Sequence, residues 1–235
     1  MAPVNSQLAV LLLADGRFPT GGHAHSAGVE AAVADGRLRD ETDLEAWLSG
    51  RVAATGRVDA SLAAMTVVRL TGAPSDAAVI EVLRALDAEG AARLPAHPIR
   101  EASRRLGRRL VIAGARCWPH PALVAIETAL PNGAVFPVAL GAVCSAAGAD
   151  LRDAAELSLH HTIATPAQAA VRLLGLDPFL VAALSARVGA AAGWVINEAV
   201  AVAYGAPADL PACAEPLVEI ASVEHAAADT RMFAS

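Results

Sequence analysis

Lysine is missing from this sequence: all 18 basic residues among its 235 are arginine. The absence excludes the usual nucleotide-binding P-loop, which places a lysine on the phosphates. It also excludes enzymes that form a Schiff base on a lysine amine. The net charge of −6 is modest. It gives no reason to expect nucleic acid or an anionic membrane surface as a partner.

Cysteine is scarce, and the spacing of the cysteines matches no motif. The three cysteines, Cys117, Cys144 and Cys213, lie far apart and form no Cys-x-x-Cys pair. This spacing indicates neither a disulfide framework nor a structural zinc site, and reduced thiols predict a cytoplasmic protein. No basic residue precedes the apolar run near the N-terminus, so we expect no secretory signal peptide.

Aromatic residues make up only 3% of the sequence, whereas apolar residues make up 55%. A core of alanine, valine and leucine favours close-packed helices, because alanine has the highest helix propensity and sheets are enriched in aromatic residues. No segment alternates with the two-residue period of a half-buried strand. The sequence predicts one all-α domain over residues 1–235, a bundle of roughly nine or ten helices. Its N-terminus (1–6) and C-terminal tail (228–235) are expected to be flexible.

Long apolar runs are almost absent, and only Thr128–Ala149 is uncharged over the length of a membrane span. Prolines, an asparagine and a glycine crowd its first half, which predicts a loop followed by a buried helix. We therefore expect no membrane partner.

Three local patterns predict where helices begin or break. Thr42 and Glu45 have the spacing of a capping box, and Ser26 is a candidate N-cap. Pro166 predicts a break in the helix around it.

The segment Phe18–Glu30, "FPTGGHAHSAGVE", concentrates proline, glycine, histidine and serine in a chain rich in alanine and leucine. We call it the opening loop. The residues around Ser26 resemble a nucleophile elbow, which would make a serine hydrolase, but that motif needs a preceding strand. His23 and His25 could ligate a metal only if the loop brought both to one ion, and adjacent His160 and His161 would diverge. We therefore expect no tightly bound metal.

Two further features suggest contacts with proteins. Five arginines lie between Arg100 and Arg109, where they could bind phosphates, form a solvated face paired with acidic groups, or contact another protein. The chain ends with Arg231, Met232 and Phe233, although chain ends are usually polar and frayed. Either this tail docks onto its own domain or it becomes ordered against a partner.

The two ends of the chain resemble the UreF family of urease accessory proteins. The family opens with an apolar helix and then Pro-x-Gly-(Gly/Ser)-aromatic-x-(His/Tyr)-Ser-x-Gly-(Leu/Val)-Glu, which Leu11–Gly36 follows except that His23 replaces the aromatic residue. "REASRRLGRRL" and "FPVALGAVCSAAG" resemble two internal blocks. "EIASVEHAAADTRMFAS" resembles the closing block, with Ala226 and Ala234 where the family commonly has Glu and Arg.

The resemblance implies an all-helical, non-catalytic chaperone that forms a homodimer. It implies that the protein bridges the scaffold protein UreD (also called UreH) and the GTPase UreG, for nickel insertion into apo-urease. Nickel would then be a cargo in transit and no cofactor would be held tightly. The implied partner-binding residues are Pro19, Gly21, Gly22, His23, His25, Ser26, Gly28, Glu30, His225, Arg231, Met232, Phe233 and Ser235. A stand-alone nickel carrier and a hydrolase acting through Ser26 remain as alternatives.

Overall fold

The computed structural model describes residues 6–227 and 232–233, and these residues form α-helices without any β-strand. The prediction of a single all-α domain is confirmed, with somewhat more helices than the nine or ten expected. In chain order the helices are α1 (Ser6–Ala14), α2 (Val29–Ala34), α3 (Glu41–Arg51), α4 (Arg57–Thr71), α5 (Asp76–Ala92), α6 (His97–Cys117), α7 (Pro121–Ala129), α8 (Phe136–Ala146), α9 (Leu151–Leu174), α10 (Pro178–Ala191), α11 (Gly193–Val202) and α12 (Pro216–Ala227). One turn of π-helix, Val52–Gly56, joins α3 to α4.

Three local predictions are wrong, and each for a physical reason. Asp40, and not Thr42, caps α3, because its carboxylate accepts the amide hydrogens of Thr42 and Asp43 at 3.0 Å each. Helix α2 begins after Gly28, so Ser26 is not its N-cap. Helix α9 continues through Pro166, whose ring is buried, so core packing outweighs the lost backbone hydrogen bond.

The core is centred on α4 and α8, which lie against each other. Ten of the 15 residues of α4 and eight of the 11 residues of α8 are buried. The predicted buried helix at the end of the long uncharged run is therefore confirmed as α8. The close approach of α8 to α4 depends on Gly141, because a Cβ at this position would overlap the carbonyl oxygen of Ala63 and lie 2.6 Å from the Cβ of Thr66. Small residues thus replace aromatic volume in this core.

Helices α6, α9 and α12 surround the opening loop and fix its position. The turn Gly22–Ala24 contacts α9, and α12 packs on both α2 and α6. Over residues 6–227, no single helix combines the length and the apolar composition that a membrane span requires. The consecutive pair α10 and α11, bent by 45°, meets those two criteria only when taken together.

Candidate functional site

The opening loop is a compact structure with left-handed backbone at three positions. Gly21, Ala27 and Gly28 have φ values of 79°, 53° and 88°. The left-handed backbone of Gly21 favours glycine, and the guanidinium of Arg109 occupies the space where a Cβ would lie. Gly28 similarly lets Val218 of α12 approach, since a Cβ at Gly28 would lie 2.9 Å from the Cγ1 of Val218. The glycines of this block therefore serve close packing of the loop against α6 and α12.

The loop is anchored through its apolar and histidine side chains. Phe18 is buried and stacks on Trp118 at the end of α6, with 6.2 Å between ring centroids. His25 is buried as well, whereas Pro19 and His23 are exposed. Burial, with the positive charges of Arg105 and Arg109 beside it, lowers the pKa of His25 to about 4. His25 is therefore neutral at pH 7.

Ser26 is completely buried between the loop and the core. A nucleophile elbow exposes its serine on a sharp turn between a strand and a helix. The part of the chain that the structure describes has no strand, and the hydroxyl faces no solvent. The structure therefore does not support the hydrolase alternative.

Glu30 joins the opening loop to the C-terminal tail. Its two carboxylate oxygens accept the backbone N–H groups of Met232 and Phe233 at 2.6 and 3.0 Å. Its Oε2 also lies 3.5 Å from Nε2 of His225 in α12. A carboxylate that receives two backbone amides from one segment fixes that segment with charge-assisted hydrogen bonds. The first and last motifs of the sequence thus meet at one residue.

Arg172, near the end of α9, makes a second connection between the two ends. Its Nη1 donates to the carbonyl oxygen of His23 at 2.9 Å, and its guanidinium lies 4.6 Å from the ring centroid of Phe233. The second contact has the geometry of a cation–π interaction. Phe233 is only 4% exposed, whereas Met232 is 63% exposed. The described part of the tail therefore docks onto its own domain, with Met232 facing outward.

The site residues predicted from the sequence fall into two groups. Those brought together are the opening-loop residues, His225, Met232 and Phe233, with Glu30 at the centre. Arg231 and Ser235 lie outside the described residues, as do residues 1–5 and most of the tail. We call the assembled surface of the opening loop, α12 and the docked tail residues the loop–tail face. Sequence reasoning missed Arg172 and Trp118, because neither belongs to a motif that marks a contact across the fold.

The arginines of α6 divide into paired and exposed side chains. Arg104 forms an ion pair with buried Asp87 at 2.8 Å, and Arg108 donates to the carbonyl oxygen of Pro131 at 3.0 Å. Arg105 and Arg109 are exposed beside the opening loop. The structure therefore supports the solvated, partly paired face for one part of the cluster and leaves two cations next to the loop–tail face.

The histidines do not assemble into a metal site in residues 6–227 and 232–233, where no group of three His, Cys, Asp or Glu side chains could hold an ion. Nε2 of His160 lies 3.1 Å from the carbonyl oxygen of Ala14, and His161 packs edge-on against Phe136. These residues offer no candidate set of nickel ligands, so they do not support the alternative of a stand-alone nickel carrier.

Acid is expected to destabilise the protein through His161. Burial lowers the pKa of this residue to about 4, so the unfolded chain binds a proton below its ordinary value of about 6.5 while the folded chain does not. The free energy of unfolding should therefore fall as the pH drops from about 6.5 to about 4. His161→Gln removes this titration, and urea unfolding across that interval should show a shallower fall. An equal fall in both proteins would contradict the assignment.

Comparison with known proteins shows which family this chain is similar to. The UreF family model matches residues 38–189. A urease accessory protein UreF of Mycobacterium sp. (strain JLS) is 38% identical over 227 residues, covering 96% of this chain and 97% of that protein. The proteins of that name from Mycolicibacterium vanbaalenii and Mycobacterium tuberculosis are 37% and 36% identical, covering 99% and 94% of this chain and 100% and 95% of their own lengths.

Proposed function

We propose, because the chain belongs to the UreF family, that it acts in urease maturation as a non-catalytic accessory protein of the cytoplasm. In this role it bridges a UreD (UreH) scaffold and the UreG GTPase while nickel is inserted into apo-urease. The relatives named above carry the name urease accessory protein, and the bridging role is our extension to this chain. Nickel is then cargo that this assembly delivers, and the chain itself holds no resident cofactor.

The observation that carries the proposal is the attachment of the tail to the opening loop through Glu30. The attachment gathers the most specific motifs of the sequence on one face, although they lie at opposite ends of the chain. If Glu30 served only to stabilise the fold, exposed side chains such as Met232 and His23 would not be needed beside it. An exposed apolar side chain on a rigid support is typical of an anchor for a protein partner.

Self-association is supported by a different set of side chains. Phe179 and Leu180 of α10, Trp194 of α11 and nearby Tyr204 are 85%, 43%, 48% and 68% exposed. Several large apolar side chains exposed to water are typical of a surface that another protein covers. We propose a homodimer, which light scattering coupled to size-exclusion chromatography tests directly.

Reconstitution tests the proposed function. Urease subunits with UreD and UreG from the same organism are supplied with nickel, bicarbonate and GTP, with or without this chain. We expect urease activity to appear only when the chain is present, and the chain to co-purify with UreD and UreG. GTP hydrolysis by the chain alone should equal the buffer blank. Equal urease activation without the chain would contradict the proposal.

A further inference from the structure

A cavity of about 190 Å³ lies behind the opening loop, between α6 and α12. Its lining also includes residues of α3, α4 and α9. Its apolar lining includes Leu94, Pro95, Ile99, Leu106, Phe136 and Val218. Residues of the opening loop line it as well, and so do polar side chains of α3, α4, α9 and α12.

One of the polar side chains that line the cavity is the carboxylate of Asp59. Asp59 lies at the start of α4, and no hydrogen bond or ion pair reaches its carboxylate from the residues that the structure describes. Neighbouring Arg51 is already committed, since its Nη1 binds Glu215 at 2.9 Å. Because an ionised carboxylate only accepts hydrogen bonds, the carboxylate of Asp59 is available to a donor group of a ligand.

The charges that line the cavity leave it negative. Arg51 and Arg93 supply the positive charges, and Asp59, Glu215 and Glu219 the negative ones. Arg93 is itself paired with Glu89. The two histidines that line the cavity, His25 and His161, have pKa values lowered to about 4 and are neutral at pH 7. When Asp59 is ionised, its charge is therefore offset only in part, by Arg51, which also pairs with Glu215.

We propose that this cavity binds a small organic cation, an alkylguanidinium or alkylammonium group, whose charged end pairs with Asp59 while its alkyl part packs against the apolar lining residues. A metal ion fits poorly, because no set of three ligands is assembled in residues 6–227. An anion would meet the excess of carboxylates. A cation with an apolar body matches both the carboxylates and the apolar side chains of the lining.

The titration of Asp59 supports this assignment and gives it a pH dependence. Burial raises the pKa of Asp59 to about 7, with Arg51 opposing and Glu215 reinforcing the shift. Only the ionised form pairs with a cation, so affinity should fall about tenfold for each pH unit well below 7 and level off above about pH 8. A bound cation should in turn lower the pKa of Asp59, which carbon-13 NMR of the carboxyl group would measure.

The test uses the full chain and two probes of nearly equal shape, butylguanidinium and the uncharged N-butylurea. Calorimetric titration at pH 8 should detect butylguanidinium with at least tenfold higher affinity than N-butylurea. Asp59→Asn should lose this preference, and Glu81→Gln, an exposed change on α5, should keep it. Asp59→Asn should remain folded, and at pH 8 it should melt above the wild type because it removes a buried charge.

Equal binding of the two probes, no detectable binding of butylguanidinium, or an unchanged preference in Asp59→Asn would each overturn the proposal. These measurements need no partner, so they stand apart from the reconstitution experiment. A second arm identifies the source of the cation. If butylguanidinium competes with UreD or UreG for the wild-type chain but not for Asp59→Asn, the natural group is an Arg or Lys side chain of that partner. If it binds without competing, the source is a free small molecule.

Discussion

Replacing Gly141 by valine is expected to lower the free energy of unfolding by at least about 3 kcal/mol. At Gly141 α8 meets α4, where a Cβ would overlap the backbone oxygen of Ala63 and crowd Thr66. Both neighbours are fully buried, and neither is the movable end of a long side chain. The two central helices would have to separate, which would disturb the packing of most of the core. Urea unfolding followed by far-ultraviolet circular dichroism measures the loss.

Gly50→Ala is the matched control for this prediction. Gly50 lies in α3 and is exposed, and a Cβ at this position would meet no atom within 4 Å. Alanine there should stabilise the protein by roughly 0.5–1 kcal/mol, because it restricts the unfolded chain and suits a helix. If Gly141→Val and Gly50→Ala had similar effects, close contact of α4 with α8 would not be what requires a glycine at position 141.

The helical architecture could be predicted because its signals are local. Alanine-rich periodicity and the absence of strand alternation depend only on neighbouring residues, and one uncharged segment is enough to predict α8. Capping is less predictable, because several polar residues compete near each helix start. Thr42 and Glu45 have suitable spacing, yet Asp40 caps α3 and Glu45 instead pairs with Arg187 at 2.9 Å. Local chemistry allows both arrangements, and tertiary contacts select one.

The site depends on contacts between distant parts of the chain, which a single sequence does not show. The position of Glu30 at the start of α2 suggests that it supports the opening loop, whereas in the structure it receives the amides of the tail. Arg172 and Asp59 belong to no motif, and their roles follow only from what the fold places beside them. The motifs at the two ends identify the family, whereas the fold is needed to show that they form one face.

Glu30→Gln is expected to release the tail and greatly reduce urease activation. Glutamine has one acceptor oxygen and no charge, so it cannot accept both amides as charge-assisted hydrogen bonds. A loss of about 2 kcal/mol in tail docking corresponds to a roughly thirty-fold fall in the ratio of docked to undocked tail. Hydrogen exchange at the amides of Met232 and Phe233 should quicken by a similar factor, while the helical core melts close to the wild-type temperature.

Glu127→Gln, an exposed change on α7, removes the same charge elsewhere and should leave both exchange and activation unchanged. The two readouts of Glu30→Gln then separate the structural role of the contact from its function. Unchanged exchange at Met232 and Phe233 would show that Glu30 does not hold the tail. Rapid exchange combined with normal activation would show that the tail is released but that its docking is irrelevant to partner binding. Only rapid exchange together with lost activation and lost co-purification of UreD or UreG fits a loop–tail face that must be assembled before a partner binds, since an undocked tail lowers apparent affinity by the fraction of molecules that remain competent.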